Sequence, residues 1–346
     1  MRALRFEAWG TAPAIRDVGV PVPRGGEVLV RVLAAGACHS DLHVIDAAEG
    51  AMPFRPPFTL GHEIAGRVEA LGPDTAGVEV GADVVVYGPW GCGTCVRCVA
   101  GADNYCDRRR KLGWAGVGLG RDGGMAEYVL VPDARHLVPA GGLSPSQAAP
   151  LTDAGLTPYH AVNTLAGLGD GSCVAVIGVG GLGHLAVQIL RAITPARVFA
   201  VDVREAALEL AHESGAELTT LVKPDTHKVL RAGGAGVDAV LDFVGSDSSL
   251  TLAAASLRAG ADLVIVGSGG GRLTVGKGGR LPAGARVSLP FWGTRPELPE
   301  VIALARAGRL RVAVEEFPLS AAEEAFARLR AGAVRGRAVL VPEGVA

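Results

Sequence analysis

The chain has 346 residues, a length that suggests two domains of roughly 150 residues each. Hydrophobic residues make up 49% and charged residues 20%, and 33 Lys and Arg nearly balance 35 Asp and Glu. These values argue against a disordered chain and against a strongly basic nucleic-acid-binding protein. The charged N-terminus and the lack of an apolar run of about 18 residues argue against a secretory signal and a membrane span, so we expect a cytoplasmic protein.

Glycine and cysteine are the two informative residue types. The 50 glycines are about twice the usual share, so local reasons for them are needed. Four of the six cysteines fall within fifteen residues. In a reducing compartment and a chain of this length, such a cluster is more typical of metal binding than of disulfides.

The first 150 residues predict an all-β, barrel-like unit, in which Gly and Pro turns separate the strands. The predicted strands there are 27–33, 64–71, 83–87 and 125–131. A helix is predicted over 144–165, where the pattern changes.

Strands and helices then alternate, which predicts a parallel sheet covered by helices on both faces. The predicted strands of this part are 173–177, 197–201, 238–243 and 262–266, and its predicted helices are 182–193, 205–212 and 248–257. The last fifty residues predict helices over 296–307 and 320–329 and a strand over 337–341.

A glycine-rich loop connects the strand predicted over 173–177 to the following helix and fits the pattern G-x-G-x-x-G. Gly178 allows a tight turn, Gly180 lets the backbone approach a pyrophosphate, and Gly183 lets the helix pack closely on the strand. The order strand, loop, helix favours dinucleotide binding over a plain glycine turn. The predicted cofactor contacts of this loop are Gly178, Val179, Gly180, Gly181, Leu182 and Gly183.

Asp202 lies nineteen residues after Gly183, at the end of the next predicted strand. A carboxylate there binds the 2'-hydroxyl of the adenosine ribose and would repel a 2'-phosphate, so we predict NAD over NADP. Arg204 has three interpretations: it stacks on adenine, lies in solvent, or gives partial NADP tolerance.

The clustered cysteines have the spacing C-x2-C-x2-C-x7-C, formed by Cys92, Cys95, Cys98 and Cys106. Four thiolates fill the tetrahedral coordination of zinc and leave no open position, which predicts a structural site. An iron–sulfur cluster is the sharper alternative, but its bacterial motif ends in C-x3-C-P, whereas here the last interval is seven. Free thiols and a nucleic-acid zinc ribbon are further alternatives; the surroundings lack the basic stripe with interleaved aromatic residues of such a ribbon.

Two further motifs are Cys38-His39-Ser40-Asp41-Leu42-His43 and Gly61-His62-Glu63. Taken alone, Cys38 and His62 are compatible with ordinary core positions. Together with the cysteine cluster and the later Gly178 loop, in this order, they resemble the zinc-dependent medium-chain alcohol dehydrogenases over essentially the whole chain. Residues 87–93 and 151–159 look like the corresponding segments of bacterial secondary alcohol dehydrogenases that reduce bulky ketones.

The resemblance implies that Cys38, His62 and Asp153 hold a catalytic zinc and leave a fourth position for water or the substrate oxygen. Zinc would polarise the alcohol oxygen while hydride passes to the nicotinamide. The proton would leave through Ser40, the cofactor ribose and His43.

Asp41 would orient His62. The role of Glu63 is ambiguous, because in the related polyol dehydrogenases the Glu of this motif can ligate the metal itself. Asp153 has a plain alternative as a residue at the start of a helix.

The remaining predicted cofactor contacts are His39, Thr157, Phe243, Val266 and Arg337. The resemblance implies that Thr157 lies near the nicotinamide and Arg337 near the pyrophosphate, while Phe243 and Val266 end strands at the edge where such sheets bind ligands. Five apolar side chains are candidates for the substrate pocket, with core packing as the competing explanation: Phe54, Trp114, Leu119, Phe291 and Trp292.

We therefore expect an α/β protein in which a GroES-like β-barrel catalytic domain is joined to a Rossmann doubly wound parallel sheet. The predicted bounds are 1–154 for the catalytic domain, with a structural-zinc lobe at 88–110, 155–289 for the NAD-binding domain, and 290–346 for a segment that completes the catalytic domain. We expect the active site in the cleft between the domains.

The predicted function is a zinc alcohol dehydrogenase that uses NAD and two zinc ions per chain, acting on secondary alcohols and ketones and also on primary alcohols. A polyol or other zinc dehydrogenase of the superfamily is the alternative within enzymes, and a non-catalytic NAD- or zinc-binding protein is the alternative outside them. We expect a small-molecule substrate, no nucleic-acid or membrane partner, and a homotetramer, with a dimer as second choice.

Overall fold

The computed structural model describes residues 1–231 and 234–344. The chain divides into two compact units, of which unit 1 comprises Met1–Leu156 and Thr294–Ala346, and unit 2 comprises Thr157–Gly293. Unit 1 is therefore discontinuous along the chain, with unit 2 inserted into it.

Unit 1 is built mainly from short strands. Its strands before the insertion are β1 (Arg2–Phe6), β2 (Ala14–Asp17), β3 (Val28–Ala37), β4 (Phe58–Thr59), β5 (Glu63–Leu71), β6 (Asp83–Val86), β7 (Gly116–Val117), β8 (Gly120–Arg121), β9 (Tyr128–Val131) and β10 (Leu137–Pro139). Its helices there are α1 (His39–Ile45), α2 (Val96–Val99), α3 (Arg109–Leu112) and α4 (Pro145–Ala148).

Unit 2 alternates strands and helices. Its helices are α5 (Leu156–Asn163, which begins at the last residue of unit 1), α6 (Gly183–Ile193), α7 (Glu205–Glu213), α8 (Thr226–Leu230) and α9 (Asp247–Ser256). Its strands are β11 (Cys173–Ile177), β12 (Arg197–Asp202), β13 (Leu218–Leu221), β14 (Val237–Asp242), β15 (Leu257–Ile265) and β16 (Arg286–Ser288). The chain then returns to unit 1 with α10 (Glu297–Arg306), β17 (Val314–Pro318), α11 (Ala322–Arg330) and β18 (Arg337–Val341).

The main sheet of unit 1 has β3 at its centre. Among the described residues, the strand order is β10-β6-β5-β3-β18-β17, and β9 also pairs with β3. Val28, Val30 and Val32 of β3 are fully buried, as expected for a central strand with neighbours on both edges. Because β18 comes from the last ten residues of the chain and pairs with β3, the C-terminal segment is part of this sheet.

The sheet of unit 2 has the strand order β13-β12-β11-β14-β15-β16, and every pairing in it is parallel. This order is that of the doubly wound dinucleotide-binding fold, so the predicted parallel sheet is confirmed. Helix α6 packs on it with Leu185, Ala186 and Ile189, all fully buried. The order reverses between β11 and β14, and in such sheets ligands bind beyond the carboxyl ends of the strands at this point.

The single helix predicted over 144–165 is wrong. Helix α4 ends at Ala148, a 3-10 helix follows over Ala149–Thr152, and α5 begins only at Leu156. Pro150 has no N–H to donate to the helix ladder, and its ring crowds the preceding turn, so an α-helix does not continue through it. The interruption leaves Asp153 in a non-helical backbone conformation, with φ −132° and ψ −61°.

Short elements without a clear alternating pattern escaped the sequence analysis. They include β1, β2, β13, β16 and β17. Strand β17 pairs in parallel with β18, and β16 pairs in parallel with β15. These partners decide that the segments are strands, because isolated runs of three to five residues carry little pattern of their own.

Candidate active site

Strand pairing in unit 1 brings three distant segments to one place. Cys38 follows β3 and stands at the start of α1, while His62 immediately precedes β5. Strands β3 and β5 are antiparallel, with Gly36 opposite Glu63, so the end of one strand meets the beginning of the other. Arg337 begins β18, on the other side of β3.

A cluster of metal-binding side chains forms at this junction. One ligand atom from each of Cys38, His62, Glu63 and Asp153 lies within 4.8 Å of the others, and all four residues are buried. Asp153 Oδ2 is 3.5 Å from His62 Nε2 and 3.7 Å from Cys38 Sγ. A thiol, an imidazole and a carboxylate at such spacing are the mixed donor set that zinc takes in catalytic sites, so these residues fit a zinc ion.

Asp41 holds this cluster from the first turn of α1. One of its oxygens accepts a hydrogen bond from the backbone N–H of Cys38 at 2.9 Å, and the other lies 3.2 Å from His62 Nδ1. Asp41 is fully buried. Because Nδ1 faces Asp41, the other ring nitrogen of His62 is directed towards Asp153, which is how outer carboxylates fix a metal-binding histidine.

Glu63 is engaged by Arg337 rather than standing alone. Arg337 Nε donates to one carboxylate oxygen at 2.9 Å and Nη2 to the other, while Nη2 is also 3.7 Å from Asp153 Oδ2. Gly36 makes room for this pair, because a Cβ there would overlap the Glu63 carboxylate. The structure thus places Arg337 beside the cluster of metal-binding side chains. Its contact with a cofactor pyrophosphate stays a prediction.

The electrostatics of the cluster favour a cation. Burial raises the pKa of Glu63 to about 7, with Asp153 adding to the rise and Arg337 opposing it. Burial disfavours the charged form of His62, but the neighbouring Asp41 and Asp153 nevertheless raise its pKa well above the usual value. The carboxylates of Glu63 and Asp153 and the thiol of Cys38 all interact with the single guanidinium of Arg337, so a bound cation would relieve the repulsion between the two carboxylates.

Helix α1 carries the polar side chains predicted for proton transfer. Ser40 is partly exposed and its Oγ lies 3.5 Å from Cys38 Sγ. His43 is exposed and stands three residues further along, on the same face of the helix. His39, a predicted cofactor contact, is also exposed.

The four clustered cysteines form a second site in unit 1. Their sulfur atoms all lie within 4.8 Å of one another, and the Cys92–Cys98 and Cys95–Cys106 sulfur distances are both 4.0 Å, about twice a disulfide bond. The backbone N–H of Cys95 donates to Cys92 Sγ at 3.4 Å, and that of Arg108 to Cys106 Sγ at 3.4 Å. Hydrogen bonding, first from Thr94, lowers the pKa of Cys92 to about 6, which favours the thiolate that zinc requires.

In unit 2 the loop after β11 has the geometry of a dinucleotide-binding turn. Gly178 has φ +86°, which favours glycine, and a Cβ on Gly183 would overlap the carbonyl oxygen of Gly178. At Gly180 the nearest atom to an added Cβ is Arg204 Nη2 at 4.0 Å, so the backbone there is open to an approaching ligand. Helix α6 begins at Gly183, so its N-terminus, the end that favours an anion, directly follows this turn.

Asp202 lies at the end of β12, next to that loop. Its Oδ2 accepts a hydrogen bond from the backbone N–H of Val179 at 2.7 Å, and its Oδ1 accepts one from that of Arg204 at 3.0 Å. Arg204 Nε is 3.4 Å from the same Oδ1. The side chain of Arg204 thus bends back to Asp202, which argues against the interpretation that it simply lies in solvent.

Asp242 is a residue that the sequence analysis missed. It ends β14, is fully buried, and accepts hydrogen bonds from the backbone N–H groups of Val244 and Gly245 at 2.8 and 3.0 Å. It thereby holds the turn that contains Phe243, a predicted cofactor contact. The signal for Asp242 in the sequence is an acidic residue at the end of an apolar strand. Val266, the other predicted contact after a strand, and Thr157 both lie in unit 2, where their contacts with a cofactor stay predictions.

The predicted pocket residues fall into two groups. Phe54 and Leu119 are buried in unit 1, and Trp114 is half-buried there with its indole N–H donating to the Trp90 carbonyl at 3.0 Å. Phe291 and Trp292 belong to unit 2, with ring centres 6.0 Å apart. Their role as a substrate pocket stays a prediction.

Comparisons with known proteins match both units. The profile of the alcohol dehydrogenase GroES-like domain matches residues 24–142, and that of the zinc-binding dehydrogenase family matches residues 181–307. The chain is 36% identical to a NAD-dependent alcohol dehydrogenase of Sulfurisphaera tokodaii, over 99% of this chain and 100% of that protein.

Solved structures agree with these matches. The alcohol dehydrogenase of Aeropyrum pernix superimposes with a TM-score of 0.91 and 35% identity, covering 99% of this chain and 100% of the other. The acetophenone reductase of Geotrichum candidum, solved with NAD, gives a TM-score of 0.85 and 32% identity, covering 98% and 96%. The predicted GroES-like and Rossmann folds are confirmed by these matches. Across the described ranges, no helix combines the length and apolarity needed to cross a membrane.

Proposed function

This chain belongs to the zinc-dependent medium-chain alcohol dehydrogenase family, and from that membership we propose that Cys38, His62 and Asp153 are the protein ligands of its catalytic zinc. The protein is an NAD-dependent alcohol dehydrogenase with one structural and one catalytic zinc ion. The observation that carries the proposal is the convergence of a thiol, an imidazole and a carboxylate in one buried cluster within 4.8 Å. When bound there, zinc supplies Lewis-acid polarisation of the alcohol oxygen.

Glu63 is proposed as a partner of Arg337 rather than as a ligand. Both of its oxygens receive N–H groups of that guanidinium. Arg337 in turn lies 3.7 Å from Asp153, so it holds the two carboxylates side by side and limits their repulsion.

The proposed proton path runs along α1. Ser40 lies beside the thiol of Cys38, where its hydroxyl would take up the proton of the substrate hydroxyl while it releases its own proton towards His43. His43, one turn further and exposed, passes it to solvent. Asp41 keeps the His62 ring in place throughout, because both of its oxygens are committed to this motif.

The four cysteines of the second site are proposed as the ligands of the structural zinc, since four thiolates leave no open position for a substrate. In unit 2, NAD would accept the hydride and would be held by the backbone of residues 178–183 and by Asp202. The hydrogen bond from Val179 to Asp202 supports this, because it fixes the carboxylate at the mouth of the loop.

Secondary alcohols and the corresponding ketones are the proposed substrate class. The support is the resemblance of residues 87–93 and 151–159 to bacterial secondary alcohol dehydrogenases and the likeness to an acetophenone reductase, which by its name acts on a ketone.

A homotetramer in the cytoplasm is proposed for the assembly and its location. Strand β16 lies at the edge of the unit 2 sheet, and Leu289 just beyond it is 73% exposed, a feature that a second copy would cover. None of the six cysteines, all within the described ranges, forms a disulfide, which supports a reducing compartment.

The test of the ligand set is Asp153→Asn, with the exposed Asp17→Asn as the matched control. We expect about two zinc ions per chain in the wild type and the control, and about one in Asp153→Asn, which also loses NAD reduction but still binds NADH. Retention of both metals with full activity in Asp153→Asn contradicts the ligand assignment.

In the wild type we expect faster NAD reduction with secondary alcohols than with primary alcohols or polyols. Activity confined to polyols contradicts the proposed substrate class.

A further inference from the structure

The loop formed by residues 118–124 packs directly on the backbone of Gly61, the residue before His62. Gly61 has φ +96° and can take no side chain, because a Cβ there would lie 2.6 Å from Met125 Cγ and 2.7 Å from the Met125 amide nitrogen. Gly61 therefore lies directly against Met125, the residue that follows the loop.

Two glycines of the loop make this close approach possible. A Cβ on Gly118 would lie 2.5 Å from both the carbonyl carbon and the oxygen of Gly61. A Cβ on Gly123 would lie 2.6 Å from the Leu60 oxygen and closer still to the Gly61 oxygen. Real Cβ contacts with backbone atoms are never this short, so a side chain at either position would push Gly61 away.

Hydrogen bonds hold the loop and Met125 against the segment 59–61. Gly123 N–H donates to the Thr59 oxygen at 2.8 Å, Gly124 N–H to the Gly61 oxygen at 2.8 Å, and Met125 N–H to the Leu60 oxygen at 2.9 Å. The side chain of Asp122 adds a fourth link, because it accepts the N–H of Thr59 at 2.7 Å. The segment 59–61 is thus fixed along its whole length.

We propose that the 118–124 loop is a positioning element for His62, and that Gly118 and Gly123 are positioning residues for the catalytic metal. Asp41 fixes the direction of the His62 ring, whereas the loop fixes the backbone from which that ring projects. A displacement of Gly61 by a few tenths of an ångström moves the imidazole away from Cys38 and Asp153. The inference rests on the proposed function, because it takes His62 as a ligand.

Gly123→Ala is the sharpest test, because Gly123 does not have a positive φ and alanine there adds only the close contact. Its matched control is Gly19→Ala, where no described atom lies within 4 Å of an added Cβ. Zinc release to a coloured chelator is followed on the holoenzyme, together with NADH binding and the absorption of the Co²⁺-substituted protein. We expect one zinc to leave about 10- to 100-fold faster in Gly123→Ala, as when outer supports of a metal ligand are lost. The Co²⁺ spectrum of that site changes, while the four-cysteine metal and NADH binding stay as in the wild type.

A second variant covers the case in which Gly123→Ala does not fold. Gly118→Ala presses on Gly61 from another side, and its control is Gly77→Ala, which shares the positive φ but has no described neighbour within 4 Å. Wild-type release of both metals in Gly118→Ala or Gly123→Ala overturns the proposal, and so does parallel loss of both metals with NADH binding, since a general effect on folding predicts that. A wild type that carries only the four-cysteine zinc removes the premise and overturns the proposed function together with the inference.

Discussion

The buried ion pair of Glu63 and Arg337 is the residue-scale feature that sequence reasoning assigned least well. The two residues are 274 positions apart, and both are almost completely buried. Desolvation of two charges is costly, and only their mutual attraction and hydrogen bonds offset it. The effect of the pair on stability is therefore expected to be largest when one partner is removed.

We predict that Arg337→Ala lowers the free energy of unfolding by about 3 to 5 kcal/mol, because it leaves Glu63 buried without its partner. The control is Arg330→Ala, which removes an ion pair with Asp46 whose side chains are 54% and 52% exposed, so its stability should stay close to that of the wild type. Urea unfolding followed by tryptophan fluorescence measures both. Equal stability of the two variants would show that the buried pair contributes no more than a surface one.

His136 predicts the pH dependence of stability. It is buried, with its ring stacked on Tyr87 at 6.2 Å, and burial together with the charges of Arg135 and Arg295 lowers its pKa to about 3. In the unfolded chain the same ring titrates near pH 6.5. Between these two values the unfolded state binds a proton that the folded state does not, so stability falls as the pH is lowered through this window.

We expect this group to contribute a loss of about 1.4 kcal/mol per pH unit below about pH 6. His136→Phe keeps an aromatic ring beside Tyr87 and removes the titration. Urea unfolding of the wild type and the variant at pH 7 and pH 5 gives the difference between their slopes. Parallel slopes would mean that His136 takes up a proton in the folded protein as readily as in the unfolded one.

At the scale of elements, turns and breaks position the sites more than the regular strands and helices do. The α-helix ends at Ala148, and the 3-10 helix over Ala149–Thr152 that follows it leaves Asp153 beside Cys38. The β3–β5 register places Glu63 opposite Gly36. A shift of either strand by one residue would turn Glu63 to the other face of the sheet.

Gly180 and Gly183, in the loop between β11 and α6, have different roles that two variants can distinguish. We predict that Gly183→Ala lowers stability by about 1 to 3 kcal/mol, because its Cβ would overlap the Gly178 oxygen and force the helix away from the strand. Gly180→Ala should leave the melting temperature unchanged, since the nearest atom to its Cβ is 4.0 Å away, yet weaken NADH binding at least about tenfold by filling the space that the pyrophosphate approaches.

Thermal melts and NADH fluorescence titrations of the two variants distinguish these tasks. The pattern would be contradicted by a destabilised Gly180→Ala, or by a Gly183→Ala protein that melts like the wild type.

On the scale of the whole molecule, the sequence of unit 2 is inserted into that of unit 1. Unit 1 draws on both ends of the sequence, and its central strand β3 pairs with β18 from the C-terminal segment. The cluster around Cys38 and His62 and the four-cysteine site both lie in unit 1, whereas the glycine loop and Asp202 lie in unit 2. The predictions on zinc and on NADH binding therefore address separate units and can fail separately.

The sequence by itself determined the features whose parts are close along the chain. The four-cysteine spacing, the Gly178 loop with its strand and helix, and the alternation of strands and helices in unit 2 are local patterns, and each is present in the structure. The family resemblance also rested on the order of the motifs along the chain. Short strands such as β16 and β17 were missed, since their identity depends on partners rather than on their own pattern.

Only the tertiary structure decided which distant residues meet. It set Arg337 on Glu63 and the 118–124 loop against Gly61, whereas the family resemblance had already implied that Asp153 meets Cys38. These contacts follow from strand register and main-chain close packing, which depend on the whole sheet and leave no periodic signal in a single sequence. For the same physical reason, glycines such as Gly66, Gly118 and Gly123 acquired their explanation only from the structure, in which neighbouring backbones occupy the space of the missing side chains.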